Sequence, residues 1–207
     1  MDISASKQEA ESRRQERTHS LPTADRQLPS VVLIGFMGSG KSSIGRRLAR
    51  RLRYQFLDLD REIEVSAGKK ISQIFADEGE EKFRRRETQA LCKSLKKSAV
   101  IASGGGLVTR PENRALLREA GGQGASIVYL KAQSATLAER IRRQPGKRPL
   151  IDGPGQPLNY EDTRSRVEEL LETRQEFYEE CATHTVVTDG CAFEVVVDEI
   201  VSALSEH

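Results

Sequence analysis

Residues Val31 to Gly45 read VVLIGFMGSGKSSIG: an apolar β-branched run, three closely spaced glycines, then a lysine and two serines that open a helical pattern. Gly35, Gly40, Lys41 and Ser42 fit G-x-x-x-x-G-K-[ST] in the strand-to-helix context that this motif requires. Glycines without a Cβ let backbone N–H groups curl round an anion. The following helix offers unpaired N–H donors and the positive end of its dipole, and Lys41 adds a full charge. Ser42 is placed to offer its hydroxyl to Mg²⁺. The competing reading is a glycine-rich turn that binds nothing; motif and context together favour a nucleoside triphosphate as the ligand.

Around this loop lie 207 residues, 37% of them hydrophobic, enough for one α/β domain with room for a small insertion. The formal net charge is +2 with 31% charged residues, so no excess of one sign points to a nucleic-acid or membrane partner. Cys92, Cys181 and Cys191 form no C-x-x-C pair, which indicates reduced thiols and a cytoplasmic protein rather than a disulfide or zinc framework. No segment reaches the length of a membrane span. Residues 1–29 are polar and charge-mixed, lack the apolar core of a secretory signal, and carry too many acids for a transit peptide. They read as a disordered arm.

From Ser30 onward, short apolar runs alternate with longer amphipathic ones, the pattern of βαβ units and a parallel sheet. Five strands are expected, at Val31–Gly35, Gln55–Asp58, Ala99–Ser103, Ser126–Leu130 and Thr185–Thr188. Helices are expected to begin near Lys41, Arg61, Ile71, Glu80, Pro111, Ser134, Glu161 and Phe193. Two regions interrupt this rhythm. Residues 61–97 are far more than a minimal crossover needs, and Gln144 to Tyr160, QPGKRPLIDGPGQPLNY, is too rich in proline and glycine for continuous helix or strand. A phosphate loop with an inserted helical region and a long loop describes a small kinase that closes over two substrates.

Four further stretches carry candidate chemistry. In FLDLD, period-two alternation puts Asp58 and Asp60 on one side of the end of the second strand, where one can face Mg²⁺ and the other a substrate hydroxyl. The alternative is a solvated turn. In EKFRRRE, Arg84, Arg85 and Arg86 project about 100° apart on a helix, so they cannot all face one ligand. Arg84, next to the apolar Phe83, is the choice for the inward one, as a fork for carboxylate or phosphate. SGGGLV ends the third strand with three glycines, more than a turn needs, which suggests a ligand approaching the backbone closely. Lys147, Arg148 and Arg174 lie in or after the proline-rich loop, where one or two could reach a transferring phosphate.

Taken in order, GFMGSGKSSIGRRLA, FLDLDREIE, ISQIFADEGEEKFRRRE, SGGGLV, RPL and ETRQEFYEECA resemble the shikimate kinase family over nearly everything from Val31 to about Leu204. The resemblance implies a three-layer α/β/α fold of the nucleoside-monophosphate-kinase type, with a parallel sheet ordered 2-3-1-4-5. It also implies a substrate-binding helical region about 61–97 and a lid about 144–160. The implied reaction is ATP-dependent phosphorylation of the 3-hydroxyl of shikimate, on the route to aromatic amino acids.

By the same resemblance Asp60 holds shikimate hydroxyls, Arg84 and Arg174 grip its carboxylate, and Gly105 donates from its backbone. Gly38, Ser39, Gly40, Lys41, Ser42 and Ser43 hold the ATP phosphates, Ser42 and Asp58 serve Mg²⁺, and Arg148 is the lid arginine at the phosphates. Lys41, Asp60 and Arg148 are then the catalytic set, in a monomer. For the adenine platform the spacing leaves Arg140 and Arg143 both open, and TDGCAF, residues 188–193, offers no obvious contact. Gluconate or nucleoside-monophosphate kinases share the architecture, but hydroxyl acceptors combined with carboxylate forks favour a polyhydroxylated acid. A GTP-binding switch would carry N-K-x-D, which is absent.

Overall fold

A computed structural model describes residues 29–143 and 159–205. The expected arm, apart from Pro29, and residues 144–158 of the expected lid, with Lys147 and Arg148, lie outside the described residues. Five strands, β1 (Val31–Ile34), β2 (Gln55–Asp58), β3 (Ala99–Ala102), β4 (Ser126–Lys131) and β5 (His184–Val187), pair in parallel in the order β2-β3-β1-β4-β5. This is the order that the resemblance implies.

Alternation along the strands builds two cores, one on each face of the sheet. Val32, Ile34, Ile101, Ile127 and Tyr129 point to one face. There they meet Leu91 of α3 (Ile71–Ser94), Leu117 of α4 (Pro111–Gly122), Leu137 and Ile141 of α5 (Ser134–Arg142), Val167 of α6 (Tyr160–Glu172) and Tyr178 of α7 (Gln175–Cys181). Val31, Leu33, Val100, Val128 and Leu130 point the other way, against Ile44 and Leu48 of α1 (Lys41–Leu52) and Val196, Val197 and Ile200 of α8 (Phe193–Ser205). Each fully buried Val, Leu or Ile contributes about 1.5–3 kcal/mol, so these faces hold the three layers together. Among the described residues no helix is long and apolar enough to cross a membrane.

Local signals fix the helix ends. Pro111 occupies the first turn of α4, and the Asn159 side chain accepts from the Asp162 amide at 2.9 Å to cap α6. The separate helix starts expected at Ile71 and Glu80 correspond to one element, α3, broken at Gly79, where φ is 80° and ψ 168°. Together with α2 (Leu59–Ala67), α3 makes a small core of its own from Ile63, from Ile74 before the break and from Phe83 after it, with the Phe75 ring tilted 39° to that of Phe83 at 4.7 Å. Because all strands are parallel, the loops after β1, β2, β3 and β5 open on the same edge of the sheet, where open α/β folds bind ligands.

Candidate active site at the carboxyl edge of the sheet

The loop between β1 and α1 carries Gly35, Gly38 and Gly40 at positive φ, 141°, 84° and 97°. Gly40 is the left-handed N-cap of α1, which has no side-chain cap and no acid in its first turn, so no built-in carboxylate opposes an anion there. The buried Lys41 ammonium donates to the carbonyls of Gly35 at 2.7 Å and Phe36 at 2.8 Å, which places it within the loop. Ser39 is fully buried, and Ser43 donates its amide to Gly40 at 3.0 Å as the helix begins.

Ser42 Oγ donates to Asp58 Oδ2 at 2.7 Å, joining the loop to the end of β2. One hydroxyl and one carboxylate suit Mg²⁺, which takes few protein ligands and keeps waters and substrate phosphates. No group of three or more His, Cys, Asp or Glu side chains forms a metal cage among the described residues.

Asp60 reaches this place by a different route from the expected one. β2 stops at Asp58 and α2 begins at Leu59, so Asp60 sits in a first helical turn and strand alternation does not relate the two acids. Helix geometry keeps them close all the same. The Asp60 carboxyl is pushed up to about 6, by burial first, then by the charges of Asp58, Glu87 and Glu64, with Lys41 opposing.

Of the three consecutive arginines, Arg84 is the inward one at 7% exposure. Arg85 pairs with Glu81 at the surface at 3.1 Å, and Arg86 pairs with Glu78 at 2.9 Å. Arg84 Nη1 donates to Glu87 Oε2 at 2.6 Å, while Nε and Nη2 donate to Glu80 Oε1 at 3.2 and 3.0 Å. Burial pushes the Glu87 carboxyl up, and the positive charges of Arg84 and Arg174 work against that shift. Arg174, also buried, is the N-cap residue of α7 and lies 5.8 Å over the Phe36 ring; its Nη1 has no hydrogen-bond partner among the described residues.

The three glycines after β3 are each crowded by a different neighbour. A Cβ on Gly104 would come within 2.4 Å of Glu87 Oε1, one on Gly105 within 2.9 Å of the Met37 amide nitrogen, and one on Gly106 within 2.6–2.9 Å of the Arg84 guanidinium. The close approach expected from a ligand is thus made first by the chain itself. The Tyr178 hydroxyl donates to the Gly105 carbonyl at 2.5 Å, and the Tyr178 ring stacks on Tyr129.

A phosphate loop, two acids and two buried arginines therefore share one edge, and comparison with known proteins gives that arrangement its family. The shikimate kinase family model matches residues 37–205. The chain belongs to the shikimate kinase family. Among the relatives, the shikimate kinase of Thioalkalivibrio sulfidiphilus is 45% identical over 177 residues, 84% of this chain and 86% of that protein. That of Symbiobacterium thermophilum is 41% identical over 180 residues, 86% and 97%. The shikimate kinase of Acinetobacter baumannii, solved in complex with shikimate, aligns with a TM-score of 0.77 at 34% identity, covering 86% of this chain and 94% of that one. A gluconokinase from Sinorhizobium meliloti shares the fold, with a TM-score of 0.53 at 22% identity over 87% and 94% of the two chains.

Arg140 and Arg143 sit in different surroundings. Arg140 donates to Thr188 Oγ1 at 3.0 Å, to the Thr188 carbonyl at 2.6 Å and to the Gly38 carbonyl at 3.4 Å, tying the loop after β5 to the phosphate loop. Arg143 pairs with Glu139 in solvent. The Asp189 carboxylate of TDGCAF accepts from the Gln133 amide at 3.0 Å. Glu80, Glu87 and Tyr178 carry no assignment from the sequence; the one signal for Glu87 is its position three residues after Arg84 in FRRRE. A groove of about 440 Å³ lined by Arg47, Arg50, Arg51, Glu194, Val197 and Asp198 lies between α1 and α8, and none of the edge residues above lines it.

Proposed function

We propose that this chain transfers the γ-phosphoryl group of ATP, in line, to the 3-hydroxyl of shikimate, giving shikimate 3-phosphate and ADP. The observation that carries this reading is the pair of buried arginines, Arg84 and Arg174, on the same edge as the phosphate loop, with Asp60 beside them. A carboxylate held by the arginines would leave the ring hydroxyls towards Asp60, and the glycine run would bring the Gly105 amide to the same ligand.

Amides of Gly38 to Ser43 and the Lys41 ammonium would hold the ATP phosphates. Ser42, and Asp58 through water, would hold Mg²⁺, whose bound charge neutralises and orients the β- and γ-phosphates. Catalysis is then mostly positioning and charge neutralisation, because a loose transition state asks for little proton removal early. A carboxyl titrating at about 6 is largely ionised at pH 7, so Asp60 can orient the attacking hydroxyl and accept its proton. Arg148 at the transferring phosphoryl group, the lid about 144–160 and the substrate-binding region about 61–97 enter on the family resemblance. Three unpaired thiols support a reducing, cytoplasmic setting.

An ADP-release assay with ATP and Mg²⁺ across shikimate, gluconate and nucleoside monophosphates tests the proposal. Turnover with shikimate alone is expected; preference for another acceptor would replace it.

A further inference from the structure

The Arg84 guanidinium is flanked by two carboxylates of unlike character. Glu87 takes Nη1 from the buried side and is itself 1% exposed, whereas the Glu80 side chain, which takes Nε and Nη2 through a single oxygen, is 55% exposed. Glu80 directly follows the break in α3. Gly79 there is in the left-handed region at φ 80°, and a Cβ built on it would meet nothing within 4 Å, so packing does not wedge the kink in place.

Charge adds a second constraint. Arg84 and Arg174 face Glu80 and Glu87, which balances, and Asp60 stands next to them with Lys41 opposing it. An acceptor carboxylate would add one negative charge to that balance. Glu87, 1% exposed and 2.6 Å from Arg84 Nη1, already resists ionisation through burial, so a further anion beside it is disfavoured unless another carboxylate leaves. Glu80 alone of these carboxylates is exposed enough to move into water, where its charge is solvated once it leaves Arg84.

We propose that Glu80 is a displaceable counter-ion: it occupies the Nε and Nη2 edge of Arg84 until an anionic acceptor takes that edge, so it sets acceptor affinity by competition. The inference rests on the reading of Arg84 as a carboxylate fork. It also gives Glu80 a part in selectivity. A neutral polyol gains no charge-assisted bond by displacing Glu80, while a carboxylate replaces it at Arg84 without loss.

The test is Glu80→Gln, with Glu80→Ala as a second variant that leaves no side-chain acceptor. Shikimate is titrated calorimetrically without nucleotide, and KM is measured with ATP. Both variants are expected to bind shikimate at least threefold more tightly than the parent chain, with a matching fall in KM. The methyl ester of shikimate, which has no carboxylate to compete, should show no gain. Weaker shikimate binding in both variants would make Glu80 a support for Arg84 and overturn the inference. Unchanged binding in both, with Arg84→Lys still weakening shikimate about tenfold, would overturn the inference and leave the fork standing. If Arg84→Lys leaves shikimate binding intact, the fork itself fails, and the inference with it.

Discussion

The Tyr178 hydroxyl donates to the carbonyl of Gly105 across 73 positions of sequence. The same hydroxyl lies near Arg174, one helical turn earlier, so a single O–H fixes the spacing between the glycine run and one proposed carboxylate ligand. Tyr178→Phe keeps the ring and its stack on Tyr129 but leaves a partly buried carbonyl without its donor, a loss of about 1 kcal/mol. KM for shikimate should rise several-fold, with KM for ATP near the parent value. A variant that melts earlier yet keeps its shikimate KM would reduce Tyr178 to a packing residue.

Asp60 should show opposed effects on stability and turnover. Its folded-state carboxyl titrates at about 6 against 3.8 for the free group, so the folded chain holds the proton more tightly. Its contribution to stability therefore falls as pH rises from about 4 to about 6 and stays low above that, by roughly 3 kcal/mol in all. Asp60→Asn should melt higher than the parent chain at pH 7.5, and the difference should vanish near pH 4. Turnover with shikimate should collapse in the variant, while in the parent kcat/KM should climb with pH through about 6. A variant that melts lower at pH 7.5 would show that Asp60 is stabilised by its surroundings.

Arg84→Lys keeps the charge and loses the planar fork, where a charge-assisted bond is worth about 1.5–3 kcal/mol. Shikimate affinity should fall at least tenfold. Arg86→Lys, at a half-exposed site paired with Glu78, should be nearly silent. The reverse pattern would mean that the other helix face meets the acceptor.

Adjacent glycines should give different defects. Gly106→Ala presses on the Arg84 guanidinium and should weaken shikimate binding with little change in KM for ATP. Gly105→Ala presses on the Met37 amide inside the phosphate loop and should raise KM for ATP as well. Identical kinetics for the two variants would show that the loop yields as one piece.

What could be read in advance depended on whether a feature is contiguous. The phosphate loop is one stretch with its own strand and helix, so Lys41, Ser42 and the positive-φ glycines were legible as residues. The sheet followed from apolar runs buried on both faces. The strand rule misled at Asp60 because α2 starts two residues sooner than expected, inside FLDLD. Arg84 was legible as inward through the neighbouring Phe83, whereas Glu80, Glu87 and Tyr178 take their meaning from partners and burial that only the folded chain creates. Arg140 and Arg143 look alike in sequence and differ in which faces the loop after β5.

The small cluster of Ile63, Ile74 and Phe83 stands apart from both cores of the sheet. Few buried apolar side chains hold α2 and the first half of α3: Leu59 reaches the main core, and Ile63 and Ile74 close on Phe83 across Gly79, where α3 leaves helical backbone. Such a unit opens by local unfolding at less free energy than the sheet requires. The parts of the site then differ in permanence: the nucleotide loop and Arg174 persist for as long as the sheet and the helices packed on it do, while the edge built from α2 and the first half of α3, with Asp60, forms and melts on its own. Amide hydrogen exchange should be faster across residues 59–83 than in β1, and shikimate should slow it where ATP alone does not.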